Sequence, residues 1–183
     1  ALCWSAAWDM LRDAEISATD FIDIALAGLP GEDDIATVTI IANQLVTAVE
    51  LYSAPTKRDS ARLKVGNAYE QMLKASAAGS DHQLQFARNF TSFASSAEHN
   101  DLIKELLDGK LSGLKVDADL RWTFVIALAE RGLMDKAALS AELLKDNTLT
   151  GQLSHATALA ALPTAEAKSE TWKSITTEEI STS

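Results

Sequence analysis

Cysteine, proline, histidine and positive charge are all scarce in this chain of 183 residues, and each scarcity removes a class of protein. The single cysteine, Cys3, cannot close an intramolecular disulfide, so a disulfide-stapled scaffold is excluded and a reducing, cytoplasmic setting is expected. Its neighbours Leu2 and Trp4 suggest a buried thiol. Lys and Arg number 16 against 26 Asp and Glu, a net charge of -10, which repels phosphate backbones and anionic lipid; neither nucleic acid nor membrane is expected as a partner. No stretch approaches the run of about 18 apolar residues that a span needs, and no basic segment leads into an apolar signal core. None of the three histidines, His82, His99 and His155, has a His or Cys three or four positions away, which excludes a local zinc pair and HExxH. GxSxG, a Gly-rich phosphate loop and CxxC are missing as well. All three histidines read as surface or cap-adjacent; Glu98 and Asp101 beside His99 serve a helix dipole better than acid-base chemistry.

Only three prolines occur, and most glycines (Gly31, Gly79, Gly109, Gly113, Gly132) fall between periodic segments, so they punctuate helices. From Asp34 to Tyr52 the apolar residues Val38, Ile41, Leu45, Val49 and Tyr52 recur at three- and four-residue steps, which predicts one helix despite the β-branched "TVTII". Similar stripes run through Phe21, Ile22, Ala25 and Leu29, through Val65, Tyr69 and Met72, through Leu84, Ala87, Phe90 and Ala94, and through Leu102, Ile103, Leu106 and Leu107. Two more follow at Leu149, Leu153, Ala156 and Ala160, and at Ala165, Lys168, Trp172 and Ile175. Start signals stand at Ser17, Thr56/Asp59, Ser80 and Pro163-Thr164. Roughly nine or ten helices with short loops make most neighbours antiparallel pairs. "NDLIKELLDGK" and "KAALSAELLKDN" each close on Glu-Leu-Leu, with Glu105 and Glu142 37 positions apart, the spacing of stacked helix pairs. The fold expected is all-α, a HEAT/armadillo-like α-solenoid of antiparallel helix pairs, and residues 1–183 are expected to form a single helical-repeat domain.

"GLKVDADLRW" gathers Asp117, Asp119, Arg121 and Trp122 where a glycine loop enters a helix. An Asp just before a helix caps its free N–H groups, which accounts for the acids without catalysis. "RWTFVIALAERG" is dense in apolar residues, so Trp122 belongs to a core. Arg121 either pairs with Asp117 or Asp119, or faces a cavity where its fork could hold a carboxylate. The basic run "KRDSARLK" (Lys57, Arg58, Arg62, Lys64) reads as a solvated first turn, and Trp4, Trp8, Trp122 and Trp172 as packing. The start at Ala1, already inside an apolar pattern and without a capping residue, suggests a piece of a longer protein.

The blocks "WSAAWDMLRDAEISATDF", "AGSDHQLQFARNF", "LSGLKVDADLRW", "SAELLKDNTLTGQ" and "PTAEAKSETW", in that order from Trp4 to Trp172, resemble the C-terminal helical region of M1-family zinc aminopeptidases. More narrowly they are similar to the ERAP1-like C-terminal domain of the actinobacterial aminopeptidase N type. The resemblance implies a parent hydrolase that removes N-terminal residues from peptides with a zinc-activated water, and a non-catalytic domain that covers the catalytic domain and encloses the peptide cavity. It implies no cofactor in this segment, zinc in the parent's catalytic domain, and the catalytic domain of the same chain and the peptide substrate as partners. Arg88 in "QFARNF" and Arg121 in "DLRW" fall in matching motifs and are the candidates for contact with a peptide's C-terminal carboxylate. Members of the family continue for further helices after the position of Trp172, so the chain is expected to be truncated at both ends, with residues 174–183 a frayed tail and an apolar face left uncovered. The alternative is a stand-alone helical-repeat scaffold that binds a protein along a concave face.

Overall fold

A computed structural model describes residues 2–177, and among them every regular element is helical. In order these are α1 (Leu2–Arg12), α2 (Ala18–Gly28), a 3-10 turn (Leu29–Gly31), α3 (Ile35–Thr47), a π turn (Ala48–Tyr52), α4 (Pro55–Ala75), α5 (Asp81–Phe93), α6 (Ala97–Leu107), α7 (Ala118–Glu130), α8 (Lys136–Leu143), α9 (Leu149–Ala161) and α10 (Ala165–Thr177). The expected helix over Asp34 to Tyr52 thus ends in a π turn, where the wider winding of its last residues closes the Ser53 N–H onto the Ala48 carbonyl at 2.8 Å. Together α3 and this turn make an 18-residue stretch of mean hydropathy 1.4, span-like in length and composition, contrary to the expectation that no stretch approaches a span. Its inner stripe of Val38, Ile41, Leu45 and Val49 is fully buried, as a core helix requires.

Caps explain most boundaries. Ser17 and Asp20 form a capping box at α2, and Asp34, Ser80, Asp117, Asp135 and Thr148 each accept a first-turn N–H. Thr164 does the same for Ala167 at the start of α10. One start differs from expectation. Helix α4 begins at Pro55, ahead of Thr56 and Asp59, because proline fits the first helical position, and Ala54 before it offers no side-chain cap.

The chain divides into two compact units. The first holds the residues up to Leu102 with Gly109–Lys115. Its core is built from Phe21, Ile22, Ile41, Leu45, Tyr69 and Phe90, all essentially without solvent contact, and each large apolar side chain so buried stabilises by about 1.5–3 kcal/mol. Tyr69 stacks on Phe93 with ring centres 5.2 Å apart and meets Phe86 edge-on at 5.9 Å, which locks α4 to α5. The second unit holds Ile103–Asp108 and the residues from Val116 on, around a core of Trp122, Val125, Ala129, Leu139, Ala158 and Leu162, with Ala167 against it.

Several expectations about burial fail, for reasons visible in the packing. Cys3 is exposed, because α1 buries only Ala7 and Leu11. Leu149 and Leu153 on α9, and Trp172 and Ile175 on α10, are largely exposed; Trp172 keeps 69% of its surface. These helices turn Ala158 and Ala167 to the core, and the periodic stripe marks their opposite face. Of the expected tail, residues 174–177 belong to α10, and residues 178–183 lie outside the described residues.

Candidate functional site

Asp117 is the N-cap of α7: its Oδ1 accepts the Leu120 N–H at 2.8 Å, and Asp119 sits in the first turn. The glycine loop before it is pinned within the first unit. Gly113 adopts φ +83, and the buried Gln83 accepts the Gly79 N–H through Oε1 (2.8 Å) while its Nε2 donates to the Ser112 carbonyl (3.0 Å). The acids of "GLKVDADLRW" therefore start a helix.

Arg121 pairs with neither of them. From α7 its Nε and Nη2 donate to the two carboxylate oxygens of Glu142 on α8, at 2.6 and 2.9 Å, and its Nη1 donates to the Leu107 carbonyl at the end of α6, at 3.2 Å. Arg121 lies one helical turn beyond Asp117, yet its side chain reaches across to Glu142 on α8 and leaves the Asp117 carboxylate to cap the helix. Lys145 adds a third donor to Glu142, at 2.8 Å. Glu142 is only 8% exposed, and two cations on one carboxylate offset its loss of water. The hydrogen bonds from Arg121, helped by Lys145, hold the Glu142 carboxyl below its ordinary range, and Glu142 in turn raises the Arg121 guanidinium. The fork of Arg121 is thus already engaged in tying α6, α7 and α8 together. A second carboxylate arriving there has to displace Glu142.

Trp122, the neighbour of Arg121, is core as expected, and its Nε1 donates to Asp146 Oδ2 at 2.9 Å. Arg88 stands on α5 in the first unit, half-buried beside the core residues Ala87 and Phe90. The two candidate arginines therefore sit in different units, each in its own setting.

The basic run "KRDSARLK" is more than a solvated turn. Arg62 holds Glu50 of the π turn with Nε and Nη2, at 2.9 and 2.8 Å, and Asp59 with Nη1, while Lys64 pairs with Asp23 of α2. Glu50 went unnoticed in the sequence, and Glu142 was read only as part of the Glu-Leu-Leu repeat, because each lies in an ordinary amphipathic segment, 12 and 21 positions from its arginine. His99 likewise departs from expectation. It is 1% exposed, its Nδ1 accepts the Ser95 N–H at 3.2 Å, its Nε2 lies 2.9 Å from Asn67 Oδ1, and its ring meets Phe90 edge-on. Gly66 makes room for that ring, since a Cβ there would come within 2.6 Å of His99 Cε1. His82 bonds the Glu32 carbonyl at 2.8 Å, and His155 packs beside Trp122. Among the described residues no three His, Cys, Asp or Glu side chains converge as metal ligands, so these residues do not offer a zinc site.

Comparison with known proteins places this geometry. Residues 1–183 match the ERAP1-like C-terminal domain. An aminopeptidase N of Streptomyces lividans is 43% identical over 177 residues, which is 96% of this chain and 21% of that relative. The chain spans about a fifth of the length of the protein it matches. With its all-helical fold and its match along the whole length, the chain belongs to the ERAP1-like C-terminal domain family.

Proposed function

We propose that this chain is the non-catalytic C-terminal domain of a zinc-dependent M1 aminopeptidase, which covers the catalytic domain of the same polypeptide and encloses the cavity that holds the peptide. The observation that carries this reading is the 43% identity to an aminopeptidase N over nearly the whole chain. The helices, in this proposal, stack as HEAT-like pairs, and the short capped connections between α7, α8, α9 and α10 support that arrangement. Zinc and the groups that activate water belong to the catalytic domain, and no step of the chemistry is assigned to residues described above. A cytoplasmic setting is part of the same reading, supported by the exposed, unpaired Cys3.

For contact with the peptide's C-terminal carboxylate the candidates are Arg88 and Arg121, and at Arg121 an incoming carboxylate has to displace Glu142. The coding sequence on the N-terminal side of Ala1 tests the main reading: an HExxH followed about 20 residues later by a Glu is expected, and its absence overturns the proposal. In the full-length enzyme, Arg88→Ala is expected to raise KM for short peptides more than for an amino-acid anilide, which has no carboxylate to hold. Equal effects on both substrates remove Arg88 from the site.

A further inference from the structure

The first unit contains a half-open cleft of about 590 Å³. That is within the range of about 300–1,000 Å³ typical of small-molecule sites. Leu11 of α1, Ile16 of the following turn, Ile22 of α2, Tyr52 of the π turn and Ala61 of α4 give it an apolar lining. Its only charged lining residues are Lys57 and Lys64, one face of α4 two turns apart, and no carboxylate borders it. Lys64 is committed to Asp23. Lys57 is exposed and makes no ion pair among the described residues, so its ammonium is available at the mouth.

Two backbone features shape the same place. Ala14, on the rim, holds φ +60, a left-handed conformation that an L side chain adopts at a cost of about 1–2 kcal/mol. The π turn sets Tyr52 and Ser53 into the wall. The first turn of α4, which carries Lys57, also lacks a side-chain cap, and the positive end of its dipole adds to the charge of the lysine. The acids closest to the cleft, Asp20 and Asp23, are engaged by Ser17 and Lys64, and no acid stands in the lining itself; the unpaired Lys57 over an apolar lining selects an anion that has an apolar body.

We propose that this cleft binds a free apolar monocarboxylate, with the carboxylate at Lys57 and the hydrocarbon body against Leu11, Ile16, Ile22 and Tyr52. The site is independent of the aminopeptidase reading, since it is built within the first unit from residues that reading does not use.

Calorimetric titration of the full-length protein that carries this chain tests it, with octanoate, octanol and octylamine as probes. Octanoate is expected to bind at least about tenfold more tightly than octanol, octylamine is expected not to bind, and the octanoate affinity is expected to fall with added salt. Lys57→Gln, at an exposed position, is expected to weaken octanoate about tenfold with no change in Tm, and Ala61→Phe, which fills the cleft, to abolish binding. Equal binding of octanoate and octylamine, or an unchanged affinity in Lys57→Gln, overturns the proposal. So does a peptide with a free C-terminus that displaces octanoate at lower concentration than octanoate itself needs, because the cleft is then a peptide subsite.

Discussion

Arg121 grips Glu142 with two hydrogen bonds, 2.6 and 2.9 Å long, while its remaining arm reaches the carbonyl of Leu107, so one side chain closes three helices onto each other. Removing it leaves Glu142 buried with only Lys145 as a cationic partner. Because Arg121 itself is 30% exposed, the loss falls below that of a fully buried pair. Arg121→Ala is expected to destabilise by about 2 kcal/mol. Arg121→Lys is expected to recover only part of this, since an ammonium cannot make the two-pronged contact. Chemical denaturation of the three proteins, with midpoint and slope compared, checks both statements.

The same pair sets an acid sensitivity. Glu142 titrates near 4.5 in the unfolded chain and lower in the folded one, first because of Arg121. The unfolded state therefore binds more protons in this interval. The contribution to stability is complete above about pH 4.5 and is lost as the pH falls through the depressed folded value. Glu142→Gln is expected to flatten the decline of Tm between about pH 5 and pH 3 relative to the parent. The remaining decline belongs to carboxylates such as Asp20, Asp34 and Asp146, each also held low by its hydrogen bonds.

Gly113 cannot carry a side chain. Its φ of +83 disfavours any L residue, and an added Cβ would lie 2.4 Å from the backbone nitrogen of Gly79. Gly113→Ala is expected to cost at least about 2 kcal/mol. At Gly31, where nothing lies within 4 Å of the added carbon, the same change is expected to be close to neutral. Thermal unfolding of the two variants separates them.

Ala14 offers the reverse case. It ends α1 in a left-handed conformation, with its N–H bonded to the Leu11 carbonyl and the Glu15 N–H to that of Met10. Glycine fits that position without strain, and the relief outweighs its added freedom in the unfolded chain. Ala14→Gly is expected to raise stability by about 0.5–1 kcal/mol, read from the denaturation midpoint; a loss of stability means that the side chain packs in a way its backbone angle does not reveal.

The helices were legible because local rules set them: Ser17, Ser80 and Asp117 announce caps, and Val38, Ile41, Leu45 and Val49 announce a buried face. What escaped was set by distance along the chain. Glu50 and Glu142 become partners of Arg62 and Arg121 only when helices meet. His99 is buried because Gly66 on α4 yields the space for its ring, which nothing local to "AEHND" discloses. The stripes on α9 and α10 were visible as periodicity, yet periodicity does not say which apolar face a helix turns inward. There the small residues Ala158 and Ala167 went to the core, and Leu153 and Trp172 stayed outside.

The most direct measurement is hydrolysis of an amino-acid anilide by this 183-residue chain and by the full-length protein that carries it, each with and without added zinc. Turnover by the full-length protein, abolished by a chelator and restored by zinc, with none from the chain alone under any condition, is the result expected of a non-catalytic aminopeptidase domain. Zinc-dependent turnover by the chain alone, or an inactive full-length protein that contains it, contradicts that assignment.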